Sequence, residues 1–283
     1  MATAIVDGIT THYEVVGSGP AVLMFSPGGF DATLDKWTTQ SIYSRIKPVD
    51  HLSTKYTCII FDRREAGQSG GRVECISWAH YVKQGKGLLE HLKIQRAHIM
   101  GACMGVCPAV AFGVRHPETT DSVLLYWPVG GAKYRIRCHS RFAEHLTYVQ
   151  QHGLEGVVAL VKRERKSFGQ DPRCGPWATP IGRDPSFADS YVSQDVNRYT
   201  HLVNDMVRGL FDRDTAPGAE PEDLLRLDVR ALIVPGNDES HATSAARYLE
   251  EHLRYAEYWD VGVEDQTAQT APHRMLDFLE SVA

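Results

Sequence analysis

A short apolar run, Ala97–Ala102 (AHIMGA), passes directly into a helix-forming stretch, MGVCPAVAFGVRH, that begins at Met104. A strand that turns this sharply into a helix leaves little freedom at the corner. The corner residue is Cys103, with Gly101 two positions before it and Gly105 two positions after. Small neighbours are needed there because the backbone runs close to both strand and helix. The corner also lies at a helix N-terminus, where unpaired amides favour negative charge. A thiol in that place ionises more readily, and the thiolate is its nucleophilic form. The plain alternative is a structural cysteine at a tight strand-to-helix turn.

Other short apolar runs flank this corner. Two lie around Asp7-Gly8, which is a hairpin signal. AVLMF ends in Pro27-Gly28-Gly29, TCIIF ends in a charged, glycine-rich loop, and SVLLYWP follows the helix. Residues 78–93 are amphipathic with helical spacing, which Gly85 and Gly87 weaken. From about Gly131 to Arg226 strand signals vanish, and two stretches, DPRCGPWATPIGRDP and DRDTAPGAEPED, read as loops. Alternation resumes with DVRALIVPG, the helical ATSAARYLEEHL, the strand AEYWDV and a last helix near APHRMLDFLESV. The pattern predicts an α/β fold, a mostly parallel central sheet flanked by helices. It divides into a core, 1–130 with 227–283, and a mainly helical cap insert, 131–226. Ligands of such sheets bind at the carboxyl ends of the strands.

Composition acts as a set of exclusions. The 283 residues suffice for a substantial core, and the net charge of −5 lacks the basic footprint of a nucleic-acid binder. No apolar run reaches about 18 residues, so no membrane span is expected. The N-terminus lacks a basic-then-apolar signal, which favours a cytoplasmic location. Six cysteines occur without a CxxC pair, so no zinc pattern is present. A reducing compartment argues against disulfides, and buried packing is the expectation for Cys58. No metal or organic cofactor is implied. The expected partner is a small-molecule substrate, and a homodimer is left open.

Together these features resemble the α/β-hydrolase superfamily, in the branch with a cap inserted after the sixth core strand. Gly101-Ala102-Cys103-Met104-Gly105 matches the nucleophile elbow G-x-S-x-G, with cysteine for serine. Ser26-Pro27-Gly28-Gly29-Phe30 stands where the family has its oxyanion loop. Phe61 to Ser69 resembles the D-x-R-G-x-G-x-S loop, with Glu65 in place of a glycine. Dienelactone hydrolases of this superfamily also use cysteine, but they are smaller and lack a large cap.

The resemblance implies oxyanion donors at the amides of Met104 and of the Gly29–Phe30 region. It implies an acid in the loop after ALIVPG, where Asp238 fits and Glu239 is its neighbour. It also implies a histidine after the last strand, yet Gly262–Thr267 contains none. The base candidates are therefore His273 at the start of the final helix, His241 in the acid loop, His139 or His145 from the insert, and the carboxylate Glu264. A cysteine can also ionise without a base, which a serine cannot. Cys107 reads as packing rather than as a resolving thiol. Trp127 and Tyr134, with Tyr148 and Trp177, are candidate pocket aromatics, and Arg135 or Arg137 could hold a substrate carboxylate. The expected activity is hydrolysis of a small carbonyl substrate: ester, lactone, thioester or C–C bond. The alternatives are a lyase, isomerase or acyltransferase on the same fold, or a ligand-binding protein with a degenerate triad.

Overall fold

A computed structural model describes residues 2–282. Eight strands form one sheet: β1 (Ala2–Val6), β2 (Ile9–Val16), β3 (Ala21–Phe25), β4 (Thr57–Phe61), β5 (Ala97–Ala102), β6 (Thr120–Tyr126), β7 (Arg230–Val234) and β8 (Ala256–Tyr258). Their order is β1-β2-β4-β3-β5-β6-β7-β8. The first two strands form an antiparallel hairpin, and β2 also runs antiparallel to β4. Every later pairing is parallel. Asp7 and Gly8 turn the hairpin with φ of 53° and 68°, the left-handed pair that a tight two-residue turn demands.

The parallel strands are apolar throughout because both faces are covered. Side chains alternate between them. Leu23, Phe25, Ile59, Phe61 and Ile99 belong to one core; Val22, Met24, Cys58, Ile60 and Met100 belong to the other.

Twelve helices surround the sheet. Three short ones, α1 (Lys36–Thr39), α2 (Ser41–Ile46) and α3 (Pro48–Leu52), follow β3. Next come α4 (Trp78–His91) and, after the corner, α5 (Val106–Arg115). Between β6 and β7 all the regular elements are helical: α6 (Ala132–Glu164), α7 (Ala178–Arg183), α8 (Pro185–Val192), α9 (Val196–Leu210) and α10 (Pro221–Arg226), besides a short 3-10 turn. The chain closes with α11 (Thr243–His252) and α12 (Thr270–Glu280).

The helix expected over 78–93 forms as α4, and Gly85 and Gly87 let it lie close on the sheet. A Cβ at Gly85 would sit 2.7 Å from Phe25 Cζ. One local expectation needs correction. The proline-rich stretch 171–185 is not all loop. Asp171 and Asp184 accept hydrogen bonds from backbone amides just ahead of them, and a proline occupies the first position after each. These are helix starts rather than loop signals.

Candidate active site

The site is assembled at the carboxyl ends of β3, β5 and β7. At the end of β5, Cys103 takes φ 53°, a left-handed conformation that side chains rarely adopt. The chain then enters a 3-10 turn, Cys103–Gly105, that leads into α5. Packing holds this strain in place. A Cβ on Gly101 would lie 2.3 Å from the Gly105 carbonyl oxygen, and one on Gly105 would lie 2.3 Å from that of Phe25. Gly105→Ala is therefore expected to lower stability by about 3 kcal/mol, seen as an earlier denaturant midpoint with an unchanged slope.

The loop after β7 supplies an acid and an imidazole together. His241 Nδ1 lies 2.8 and 2.9 Å from the two carboxylate oxygens of Asp238. Asp238 Oδ1 also accepts the amides of Ser240 (2.8 Å) and His241 (3.0 Å), so the loop folds around the carboxylate. With Nδ1 committed to Asp238, Nε2 is buried and has no hydrogen-bond partner among the described residues, sulfur included.

Cys103 and His241 line the same pocket. Burial opposes ionisation of Cys103, but the His241 imidazole and the amides of Gly28 and Met104 outweigh it and hold the thiol below its ordinary value. Burial likewise disfavours charge on His241, yet Cys103 and Asp238 hold it above its ordinary value. Both shifts favour a thiolate beside an imidazolium. Partial burial pushes Asp238 up, and His241 with the loop amides more than reverses this, leaving it below the usual carboxylate range.

The amide from the β3 loop that bears on the sulfur is that of Gly28, one residue ahead of the expected Gly29–Phe30 pair. Gly29 and Phe30 line the same pocket. The Phe30 ring packs edge-on against Phe142 and Phe168. The loop keeps its shape through buried Arg63, whose Nη2 donates to the carbonyls of Gly28 and Gly29. Nearby, Glu65 takes the positive φ (66°) that a glycine would hold, and Arg64 Nε donates to it at 2.9 Å. Burial there pushes the Glu65 carboxyl up to about 7.

The loop after the last strand presents Gln266 where a histidine was sought. It is fully buried. Its Oε1 accepts from Trp127 Nε1 (2.7 Å) and Tyr126 OH (2.9 Å), and its Nε2 donates to the Pro235 carbonyl at 2.8 Å. It thereby ties the ends of β6 and β7 together behind His241. Trp127 is part of this brace rather than of the pocket wall; its ring packs on His241 with centroids 5.3 Å apart. Gln266→Ala would leave two buried donors and a buried acceptor unpaired, and a loss of about 3 kcal/mol is expected in thermal melts.

The remaining base candidates lie away from the sulfur. His273 is 79% exposed on α12 and faces Asp277 at 3.5 Å, because that helix turns Ala271, Met275, Phe278 and Leu279 inward instead. Glu264 is exposed in the short turn Val263–Asp265. His139 Nε2 meets the Phe211 carbonyl at 3.0 Å. His145 is buried inside the insert between the Arg173 carbonyl and Tyr199 OH, and burial pushes it down to about 4. Cys107 is buried on α5, and burial raises its thiol. Trp177 is also buried; its Nε1 donates to the Arg72 carbonyl.

A cavity of about 520 Å³ opens over Cys103. Its roof is one face of α6: Tyr134, Arg137, Cys138 and Arg141, at helical spacings of three and four, with Phe142 beside them. Sequence reading found Tyr134 and Arg137 but missed Cys138 and Arg141; their spacing was the available signal, but it does not say which helix face looks downward. Among the described residues neither arginine has a carboxylate partner. Arg137 donates to Ser240 Oγ and Arg141 to the Phe168 carbonyl. Arg135 instead pairs with Asp214 at 3.3 Å on an exposed face. Among the described residues no group of three or more His, Cys, Asp or Glu could hold a metal ion, and no helix is long and apolar enough to cross a membrane.

No protein-family model matches the chain. It is 28% identical over 129 residues to the uncharacterized hydrolase YraK of Bacillus subtilis strain 168, and 31% identical over 120 residues to 2-hydroxy-6-oxo-6-phenylhexa-2,4-dienoate hydrolase of Comamonas testosteroni. These matches cover 45% and 42% of this chain but only 44% and 40% of those proteins, so the chain spans less than half the length of either curated relative. The crystal structure of the enol-lactonase from Burkholderia xenovorans LB400 superposes with a TM-score of 0.62 at 21% identity, covering 99% of this chain and 100% of that one. The sheet, its flanking helices and this superposition make the fold an α/β-hydrolase fold.

Proposed function

We propose that this chain, with its α/β-hydrolase fold, is a hydrolase that attacks a small carbonyl substrate with Cys103, using His241 as acid and base and Asp238 to orient it. The observation that carries the reading is that Cys103 and His241 line one pocket, with Asp238 held against Nδ1 of the ring; each of the two is shifted towards its charged form. The substrate carbonyl oxygen would lie between the Gly28 and Met104 amides, where charge develops as the thiolate adds. His241 Nε2–H then protonates the leaving group as the acyl–Cys103 bond is completed. In the second half, water gives a proton to His241 and its oxygen adds to the acyl carbon. The bond from the acyl carbon to the Cys103 sulfur breaks, and the thiolate departs, leaving a carboxylic acid.

This reading weakens the lyase, isomerase, acyltransferase and binding-protein alternatives. They drew their strength from the histidine missing after the last strand, and His241 can do that work from the acid loop. The names of the relatives, an enol-lactonase and a dienoate hydrolase, favour a small carbonyl substrate such as a lactone or a dienoate. In the same reading the insert, 131–226, is a lid on the core, 1–130 and 227–283. Arg137 and Arg141 then favour a substrate that carries a carboxylate. Arg141→Ala is expected to raise KM about tenfold for such a substrate and to spare a neutral ester of similar size.

The test is intact-protein mass spectrometry after brief incubation with p-nitrophenyl acetate. Wild type is expected to gain one acetyl group and then lose it, while Cys103→Ala gains none. An equal adduct on both proteins would place the reactive group elsewhere and overturn the assignment.

A further inference from the structure

Beside the catalytic pocket the insert carries a second groove, of about 780 Å³, between the end of α6 and α7. Lys162, Arg165, Lys166 and Arg183 line it, and no carboxylate does. In a chain of net charge −5 this is a pronounced local segregation of charge. Among the described residues Lys162 and Arg165 make no ion pair, and Arg183 donates only to the carbonyls of Gly67 and Ser69. Lys166 has Glu164 at 3.4 Å.

The two cavities share a wall. Gln170 lines both; Phe168 faces the catalytic pocket and Ser167 the groove. Arg141 donates to the Phe168 carbonyl from the catalytic side, so positive charge continues along the wall towards Cys103.

We infer that the groove binds the phosphates of a phosphorylated thiol carrier, and that the substrate at Cys103 is an acyl thioester of that carrier. This rests on the nucleophile reading above. Clustered lysine and arginine without carboxylates suit phosphate, which accepts several charge-assisted hydrogen bonds at once. A thiol nucleophile suits a thioester, because acyl transfer between two sulfurs exchanges one thioester for another. The Cys103 sulfur bonds to the acyl carbon, the bond from that carbon to the carrier sulfur breaks, and the carrier thiolate takes the proton from His241. Water then returns a proton to His241 and bonds its oxygen to the acyl carbon, and the bond from that carbon to the Cys103 sulfur breaks to regenerate the thiolate. The products are a carboxylic acid and the free carrier thiol, with no redox change.

The probe is coenzyme A, titrated calorimetrically under reducing conditions into the full chain carrying Cys103→Ala, with and without K162E/R165E. Binding is expected to weaken at least about tenfold on charge reversal, and to weaken for the unreversed protein in about 0.5 M salt. K162Q/R165Q serves if the reversed variant does not fold, with the same direction expected. Inorganic pyrophosphate is expected to bind at least about tenfold more weakly than coenzyme A. Equal coenzyme A affinity with and without the substitutions, or no binding, would overturn the groove. Equal affinity for pyrophosphate would reduce it to a general anion site and overturn the carrier. In turnover, wild type should prefer acetyl-coenzyme A over the acetyl thioester of N-acetylcysteamine by about tenfold in kcat/KM; no preference would overturn the thioester assignment. An acetyl adduct on Cys103 without coenzyme A binding would sink this inference alone, whereas coenzyme A binding without any adduct would sink the nucleophile reading.

Discussion

In the proposed reaction, Cys103→Ala is expected to lower kcat/KM for the ester or thioester substrate by at least about 10,000-fold. Removing the nucleophile removes the covalent path, and only amide stabilisation and substrate binding remain. Cys103→Ser is the more discriminating variant. Serine keeps the corner and the volume but its hydroxyl stays protonated near neutrality, whereas the Cys103 thiol is held below its ordinary value by His241 and two amides. A fall of at least about 100-fold is expected for serine if the thiolate is the attacking species. Both variants should melt within a few degrees of wild type, since the strained corner is kept in place by Gly101 and Gly105. Turnover of the alanine variant at a wild-type rate would rule Cys103 out.

In the same proposed reaction, His241→Ala is expected to cost about 1,000-fold in kcat/KM, because the substitution would remove both the assigned proton donor to the leaving group and a group that lowers the thiol. Asp238→Asn should cost less, about 10- to 100-fold, since the Asp238 side chain is 52% exposed and its charge is screened. His273→Ala and Glu264→Gln should leave activity within about twofold, as surface changes away from the site. The pH profile carries the same information. Activity requires the thiolate, so it falls as pH drops through the Cys103 value, which lies below that of a free thiol. It also requires the proton on His241, so it falls as pH rises through the imidazole value, which lies above that of a free imidazole. The two limbs belong to the coupled pair rather than to either group alone. In His241→Ala the alkaline limb should disappear and the acid limb move upward. A profile unchanged by that substitution would exclude His241 from the chemistry.

Several elements were legible because their causes are local. The hairpin follows from Asp7-Gly8, whose positive φ values only a few residue types accept. The buried strands follow from unbroken apolar runs such as AVLMF and TCIIF, which need cover on both faces. The corner at Cys103 follows from a strand meeting a helix between two glycines that have no room for a Cβ. Asp238 came instead from the resemblance, which implies an acid in the loop after β7. The helix starts at Pro172 and Pro185 were misread because proline marks both loops and first helical turns.

The choice among the histidines was not a local matter. Sequence reading set His273 and His241 level, ahead of His139 and His145, and the usual position held Gln266. Only the tertiary structure showed that Gln266 is spent bracing Tyr126, Trp127 and Pro235, and that His241, paired with Asp238, lines the same pocket as Cys103. The same holds for Cys138 and Arg141, whose helix could have turned either face to the core. By itself, the sequence determined the sheet, the strained corner and the thiol placed on it, because sterics and side-chain periodicity act over a few residues. The tertiary structure decided which imidazole meets that thiol and which cations surround it, because those meetings depend on how distant loops and one long helix close over the ends of the strands.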